Sequence, residues 1–418
     1  MTRRKAILRW LLAFLAIDLA AGLWIAALHD QADQILHEHQ REAQAFLASF
    51  PAEITRRPAI LDPAEPGNGW DLHQEALLHV AGPRHEDPPS LRRFGLFGMT
   101  TTVIEGDSDL RETAEPPEPH LEPLRAALRR TQVLPPRRPG WNTNTSILTL
   151  VAGLRDAAEL LHRKGNDVAA MERLVLSWGA AQDMARVGDR DHRDTLWKAE
   201  QKGALVARAI LESHSLTARE LETVALRLDR LAEARPAIFR SLAVDDALER
   251  TFLTDRGFAA ALGSADGFRP LPPTWRELWS TSLHEARQAT TIARATSALL
   301  ALEPLPPWER EEAARQRLES MDPGVCQPWQ VPQETCFRWD AEALTCMALV
   351  RLAAAVAWYH SEHDAFPRDL DALVPKYLPS VPLCPLTGRS FFRDQDRIGV
   401  KSAPEGSPLV WRIGRKPR

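Results

Sequence analysis

Residues 160–174 read LLHRKGNDVAAMERL, from Leu160 to Leu174, and this stretch decides the fold class. An apolar pair runs into a basic turn, Gly165-Asn166-Asp167 redirects the chain, and a second apolar series begins at once. Asn is a favoured N-cap because its side chain satisfies an orphan backbone N–H of the first helical turn. Before the turn, Leu150, Leu154, Ala157, Ala158 and Leu161 recur at helical spacing, which predicts a helix over 145–164. After it, the pattern predicts a helix over 168–187. Two helices joined by so short a turn should pack antiparallel.

Working toward the C-terminus, a third helix is expected over 194–214. The charge run Asp189–Asp194 (DRDHRD) before it reads as a solvated turn. Thr217-Ala-Arg-Glu220 is a capping box, in which a hydroxyl and a carboxylate exchange hydrogen bonds with opposite backbone N–H groups. It opens a helix with Leu221, Val224, Leu228 and Leu231 on one side, closed at Arg235-Pro236. Further helices are expected over 236–263, 273–303 and 307–320, with a turn at 264–273. The first hairpin resembles the junction inside a tetratricopeptide-type repeat, but no period of about 34 residues extends beyond it. The expected fold is therefore mainly α, with an irregular antiparallel helical bundle or α-solenoid-like body.

Working toward the N-terminus, 134–144 and 82–120 read as irregular, with one possible strand at 98–104. Helices are expected at 121–131 and 70–81, and 51–69 reads as a Pro- and Gly-rich connector. Residues 29–50 are helical, with Ile35, Ala43, Phe46 and Leu47 on one face. Ahead of them, residues 6–28 are apolar apart from Arg9 and Asp18, and Arg3, Arg4 and Lys5 precede them. As a helix this segment spans about 34 Å, enough for a hydrocarbon core of roughly 30 Å. Asp18 costs about 2.5–3.5 kcal/mol, and the Leu, Ile and Phe residues return roughly 0.3–0.6 kcal/mol each, so insertion is favoured. Trp10 and Trp24 sit near the ends, where aromatic belts lie. The basic tip places the N-terminus in the cytoplasm and the body outside it. The apolar run is longer than the 7–15 residues typical of a cleaved signal, which favours an uncleaved anchor.

Residues 340–414 differ in character. A helix over 340–363 leads into DAFPRDLDALVPKYLPSVPLCPLTGRSFFRD, whose Pro367, Pro375, Pro379, Pro382 and Pro385 exclude regular helix or sheet. The apolar side chains of this loop must then pack on the preceding helix. Ser390–Phe392 and Leu409–Ile413 read as a closing hairpin. The pattern Tyr359, Phe366-Pro367, Leu370, Leu373-Val374-Pro375, Tyr377-Leu378, Val381-Pro382, Pro385, Gly388 and Phe391-Phe392 resembles the C-terminal part of type II secretion pseudopilins. It also resembles the tails of uncharacterised membrane-anchored bacterial proteins. The resemblance covers about 60 residues, and the pseudopilin N-terminal processing motif is absent from residues 1–28. In major pseudopilins, acidic residues of this region can bind calcium. Asp394 and Asp396 remain here, but Cys384 replaces the first acid.

Cys326, Cys336, Cys346 and Cys384 permit three pairings. The expected set is Cys326–Cys336, closing a loop that holds Pro328 and Pro332, and Cys346–Cys384, joining the last helix to the proline loop where the family pattern carries an acid. A zinc site and free buried thiols are the alternatives. The weak metal candidates are His360 and His363, three apart near a helix end, together with Asp394 and Asp396. No phosphate-binding, nucleophile-elbow or zincin motif occurs. Net charge −4 and pI about 6.4 leave no nucleic-acid footprint.

The organisation expected is a cytoplasmic tip and transmembrane anchor over 1–28, a juxtamembrane helix and Pro-rich region over 29–140, a helical body over 141–320, and a Cys-containing α+β module with a proline-rich loop over 321–418. The expected role is a non-enzymatic, periplasmic or extracytoplasmic scaffold or interaction component with a protein partner and no cofactor. A metal-dependent extracytoplasmic hydrolase or ligand-binding ectodomain is the alternative.

Overall fold

A computed structural model describes residues 2–48, 56–81, 121–133, 143–188, 190–254, 275–321, 323–394, 397–401 and 409–412. The described residues are mainly helical, with two small sheets among them. The expected strand at 98–104, the turn at 264–273 and Asp396 lie outside the described residues.

Helix α1 (Thr2–Ala48) is one continuous rod. Its C-terminal half buries Ala32, Leu36 and Ala43 and leaves Ile35 half-buried. Strand β1 (Glu65–Asn68) and helix α2 (Trp70–Ala81) follow, then α3 (Glu122–Arg129) and β2 (Arg130–Gln132). β1 and β2 pair in parallel, with Glu65 opposite Arg130. Residues 56–69 are therefore not a bare connector. Ile60 and Leu61 are buried, and their N–H groups donate to the Leu128 carbonyl at 2.9 and 3.2 Å. The stretch is polar enough to read as a loop, yet it is strapped across the body because its few apolar residues have a core to enter.

Helices α4 (Thr143–Arg163) and α5 (Asp167–Val187) form the predicted hairpin. Gly165 turns it with φ 77°, and the Asn166 side chain accepts from the Ala169 N–H. Helix α6 (Arg190–Glu212) packs on both, and α7 (Ala218–Ala234) begins with both halves of the predicted capping box. Asp189 lies outside the described residues, and the rest of the run to Asp194 is not a solvated turn. Arg190 starts α6, and His192 and Arg193 are buried. The Arg193 guanidinium lies 5.2 Å from the Trp197 ring centre, 3.4 Å from Asp245 and 3.5 Å from the Cys336 sulfur. Its charge enters the interior because partners from two distant segments await it.

Helices α8 (Ile238–Thr254), α9 (Trp275–Leu300) and α10 (Pro307–Glu319) follow. α1 packs against α8 and α9, where Ala32 and Leu36 meet Ala286 and Ala289. Helix α11 (Pro323–His363) is longer than the 340–363 expected and lies against α6, α7 and α10. Its stretch Thr335–His363 is long and apolar enough to cross a membrane, but 78% of its apolar window is buried in the protein. It is the core helix.

Beyond it, Leu370, Leu373, Tyr377, Leu378, Cys384 and Phe391 pack back onto the core, as the proline loop requires. The closing sheet is a three-stranded antiparallel meander of β3 (Phe392–Asp394), β4 (Arg397–Gly399) and β5 (Val410–Arg412). The two segments expected to form a hairpin both join it, but β4 lies between them. One apolar cluster runs from Ile60 and Trp70 through α4–α7 and α11 to Trp411.

Candidate functional site

The C-terminal ends of α6 and α11 meet at a cavity of about 230 Å³. Its apolar wall is Ile210, Leu211, Leu216, Leu221 and Ala357, and its polar rim is His214, His360, Ser361 and Asp364. Both chain reversals at its mouth use left-handed residues that are not glycine, His214 at φ 54° and Asp364 at φ 51°. Such a conformation costs an ordinary L-residue about 1–2 kcal/mol and persists where the surroundings impose it.

At His214 the surroundings do so. Asp167, the first residue of α5, accepts hydrogen bonds from the hydroxyls of Ser213, at 2.7 Å, and of Ser215. Its other oxygen lies 2.6 Å from His162 Nδ1. Burial alone would raise the Asp167 pKa, but the bonds from Ser215, His162 and Ser213 hold it below the usual value. The cluster combines Ser, His and Asp, yet no nucleophile–base pair exists in it, because both hydroxyls and the imidazole converge on the carboxylate. Its effect is to pin the residues on either side of His214. At the other end, the Asp364 N–H donates to the His360 carbonyl at 2.9 Å and closes α11.

The His214 and His360 rings face each other with centres 5.7 Å apart and planes 40° apart. Phe366 stacks on His360 at 4.2 Å. Burial and the neighbouring His360 push the His214 pKa below its usual value, against a smaller upward pull from Glu212.

The residues expected from sequence scatter. His360 lines the cavity, but His363 leaves it, with Nε2 2.9 Å from Tyr377 Oη and its ring 4.4 Å from that of Tyr359. Asp394 is exposed and paired with Arg397 at 2.7 Å. His360, His363 and Asp394 therefore do not form one metal site, and among the described residues no three His, Cys, Asp or Glu converge on a common point. His214 was not singled out from sequence. It lies 146 positions before His360, and only the packing of α6 on α11 brings them together.

The expected disulfides are not formed. Cys346 and Cys384 are free buried thiols. The residue facing the proline loop is Thr345, whose Oγ1 lies 3.8 Å from Cys384 Sγ. Adjacent positions on a helix differ by about 100°, so Cys346 turns away. Burial pushes its pKa up to about 12, with smaller contributions from Glu200 and Glu342. Cys326 and Cys336 both lie within α11. Ten residues of continuous helix rise about 15 Å, far beyond the Cα separation of about 4.4–6.8 Å that a disulfide spans.

Next to the cavity, the tail is clamped to the end of α11. Tyr377 Oη donates to Glu362 at 2.5 Å, Trp358 Nε1 donates to the other oxygen of Glu362 at 3.1 Å, and Lys376 pairs with the same carboxylate. The hydrogen bonds from Lys376 and Tyr377 lower the Glu362 pKa.

Two further networks are buried. Arg57 Nε and Nη2 grip Asp183 at 2.5 and 2.7 Å, and His73 Nε2 reaches the same carboxylate at 2.7 Å. Arg57 Nη2 also donates to the Ala127 carbonyl at 3.1 Å. Burial opposes the charge on Asp183, but Arg57 and His73 outweigh it and hold the carboxyl at about 2. Arg235 similarly bridges Glu200 at 2.8 Å and Asp340 at 2.8 Å, and Trp197 Nε1 donates to Asp340 at 3.1 Å. The Arg57, His73 and Asp183 side chains have no exposed surface, which leaves a substrate no access to that triad.

No protein-family model, curated protein or solved structure matches this chain.

Proposed function

We propose that the chain is a single-pass, membrane-anchored protein of the bacterial envelope, whose extracytoplasmic helical body and tail act as a scaffold or interaction component. The observation that carries this reading is the change in exposure along α1. Leu19, Leu23 and Trp24 are 65%, 66% and 66% exposed, whereas Ala32, Leu36 and Ala43, about two to seven turns later, are buried against the body. Large apolar side chains left uncovered on a rod are costly in water and at home in lipid. The apolar sequence of residues 6–28 and its basic tip supply the length and the orientation. The core contacts of α1 near Ala32 and Leu36 would hold the body close to the membrane surface as a rigid unit. The proline-rich tail on a long helix, ending in a small meander, supports kinship of this module with pseudopilin tails and a link to secretion or pilus-like machinery.

The test is carbonate extraction of the full chain with a phosphatase reporter fused after Arg418. Retention in the membrane pellet, release on deletion of residues 2–28, and reporter activity only outside the cytoplasm are expected. Full extraction of the intact chain into the soluble fraction would sink the reading. The cavity at His214 and His360 favours a second role on the same body, that of a ligand-binding ectodomain.

A further inference from the structure

We propose that the cavity between the ends of α6 and α11 binds a divalent transition-metal ion between the His214 and His360 imidazoles, with solvent completing the coordination. The proposal goes beyond the anchoring role and stands whether or not that role holds.

Electrostatics select a cation. Two helices direct their C-terminal ends at the cavity, and each carries about half a negative charge there. Asp364 lies on the rim, and Glu212 acts on His214 from the last residue of α6. Among the described residues no Lys or Arg lines the cavity. A phosphate or carboxylate ligand would meet the Asp364 carboxylate and the negative ends of both helices.

Geometry and ligand chemistry select a transition metal. Zinc holds imidazole nitrogens at about 2.0–2.1 Å, which for two ligands near the tetrahedral angle puts their ring centres about 5–6 Å apart. The observed separation is 5.7 Å. Nitrogen ligands suit zinc, copper, nickel and iron, whereas calcium needs six to eight oxygens.

The imidazoles are also held for the purpose. Phe366 fixes the plane of His360, and Ser213 and Ser215, tethered to Asp167, hold His214 in a left-handed conformation that an unconstrained His avoids. Packing that orients metal-binding imidazoles is a recurring feature of metal sites. Asp364 on the rim adds negative charge beside the two rings.

The test uses the full chain in detergent, stripped with a chelator, titrated with Zn²⁺ by calorimetry and with Co²⁺ by visible absorption. One saturable equivalent is expected, with the spectrum of a low-coordinate Co²⁺ site. His214→Ala and His360→Ala should each weaken it by about tenfold or more, and Asp364→Asn by less. His363→Ala should leave it unchanged. Each variant's circular dichroism separates lost binding from lost folding. The idea is overturned if the stripped wild-type chain takes up no saturable Zn²⁺ or Co²⁺, or if folded His214→Ala and His360→Ala variants keep the equivalent.

Discussion

The joint at Asp183 and the junction at His214 use the same side chains, carboxylate and imidazole, to opposite effect. At Asp183 both carboxylate oxygens are taken, Arg57 spends its remaining donors on backbone carbonyls, and water has no entry. At His214 the carboxylate of Asp167 is satisfied by neighbours that hold the imidazole out toward a cavity. The first arrangement converts charge into attachment of the N-terminal strap. The second leaves a nitrogen available to a ligand. What separates structural from chemical use of these residues is whether the carboxylate–imidazole group is sealed in the interior or opens onto a cavity, not which residue types are present.

The largest effect expected is from Asp183→Ala, which strands the Arg57 charge in the core. Removing one member of a buried pair costs about 3–5 kcal/mol. Denaturant unfolding followed by circular dichroism should show it, and a loss below about 1 kcal/mol would mean that the strap is not held through this joint. Acid sharpens the same point. The Asp183 carboxyl titrates lower folded than unfolded, at about 2 against 3.8. Its contribution is complete above the unfolded value and is lost as pH falls from near 3.8 toward 2. The shift corresponds to about 2 kcal/mol, so the pH dependence of stability below 4 should flatten in Asp183→Asn.

At the junction the sign should reverse. Gly adopts left-handed backbone without strain, so His214→Gly should stabilise the fold by about 1 kcal/mol while abolishing metal uptake. Destabilisation instead would mark His214 as a packing residue and break the contrast with Asp183. The smallest effect is expected at the exposed pair of Asp394 and Arg397. Asp394→Asn should change stability by about 0.5 kcal/mol or less and leave Zn²⁺ binding untouched.

Much of the helical fold was legible. The turn at Gly165-Asn166, the cap at Thr217–Glu220 and the stop before Pro236 are local signals, and the structure carries all three. The packing of the proline loop on α11 was legible too, because five prolines leave its apolar residues nowhere else to go. Misreadings arose where the outcome depends on a distant partner. The polar stretch 56–69 looked like linker because its strand partner, β2, lies some 60 residues later. The run at Asp189 looked solvated because nothing nearby in sequence announces Cys336 or Asp245. The cysteine pairing failed by one helical position, since Thr345 rather than Cys346 faces Cys384.

Half of the candidate site was visible in advance. His360 stood out at a helix end, but its partner did not, and His363 was a false companion because a three-residue step on a helix does not guarantee a shared environment. Sequence alone determined the helical periodicity, the caps and breaks, and the apolar character of residues 6–28, since these rest on interactions within a few residues. Only the tertiary structure decided which charges are buried, which thiols stay apart, and that His214 meets His360. Each of these depends on segments brought together by core packing, and the chain's local pattern carries no record of that encounter.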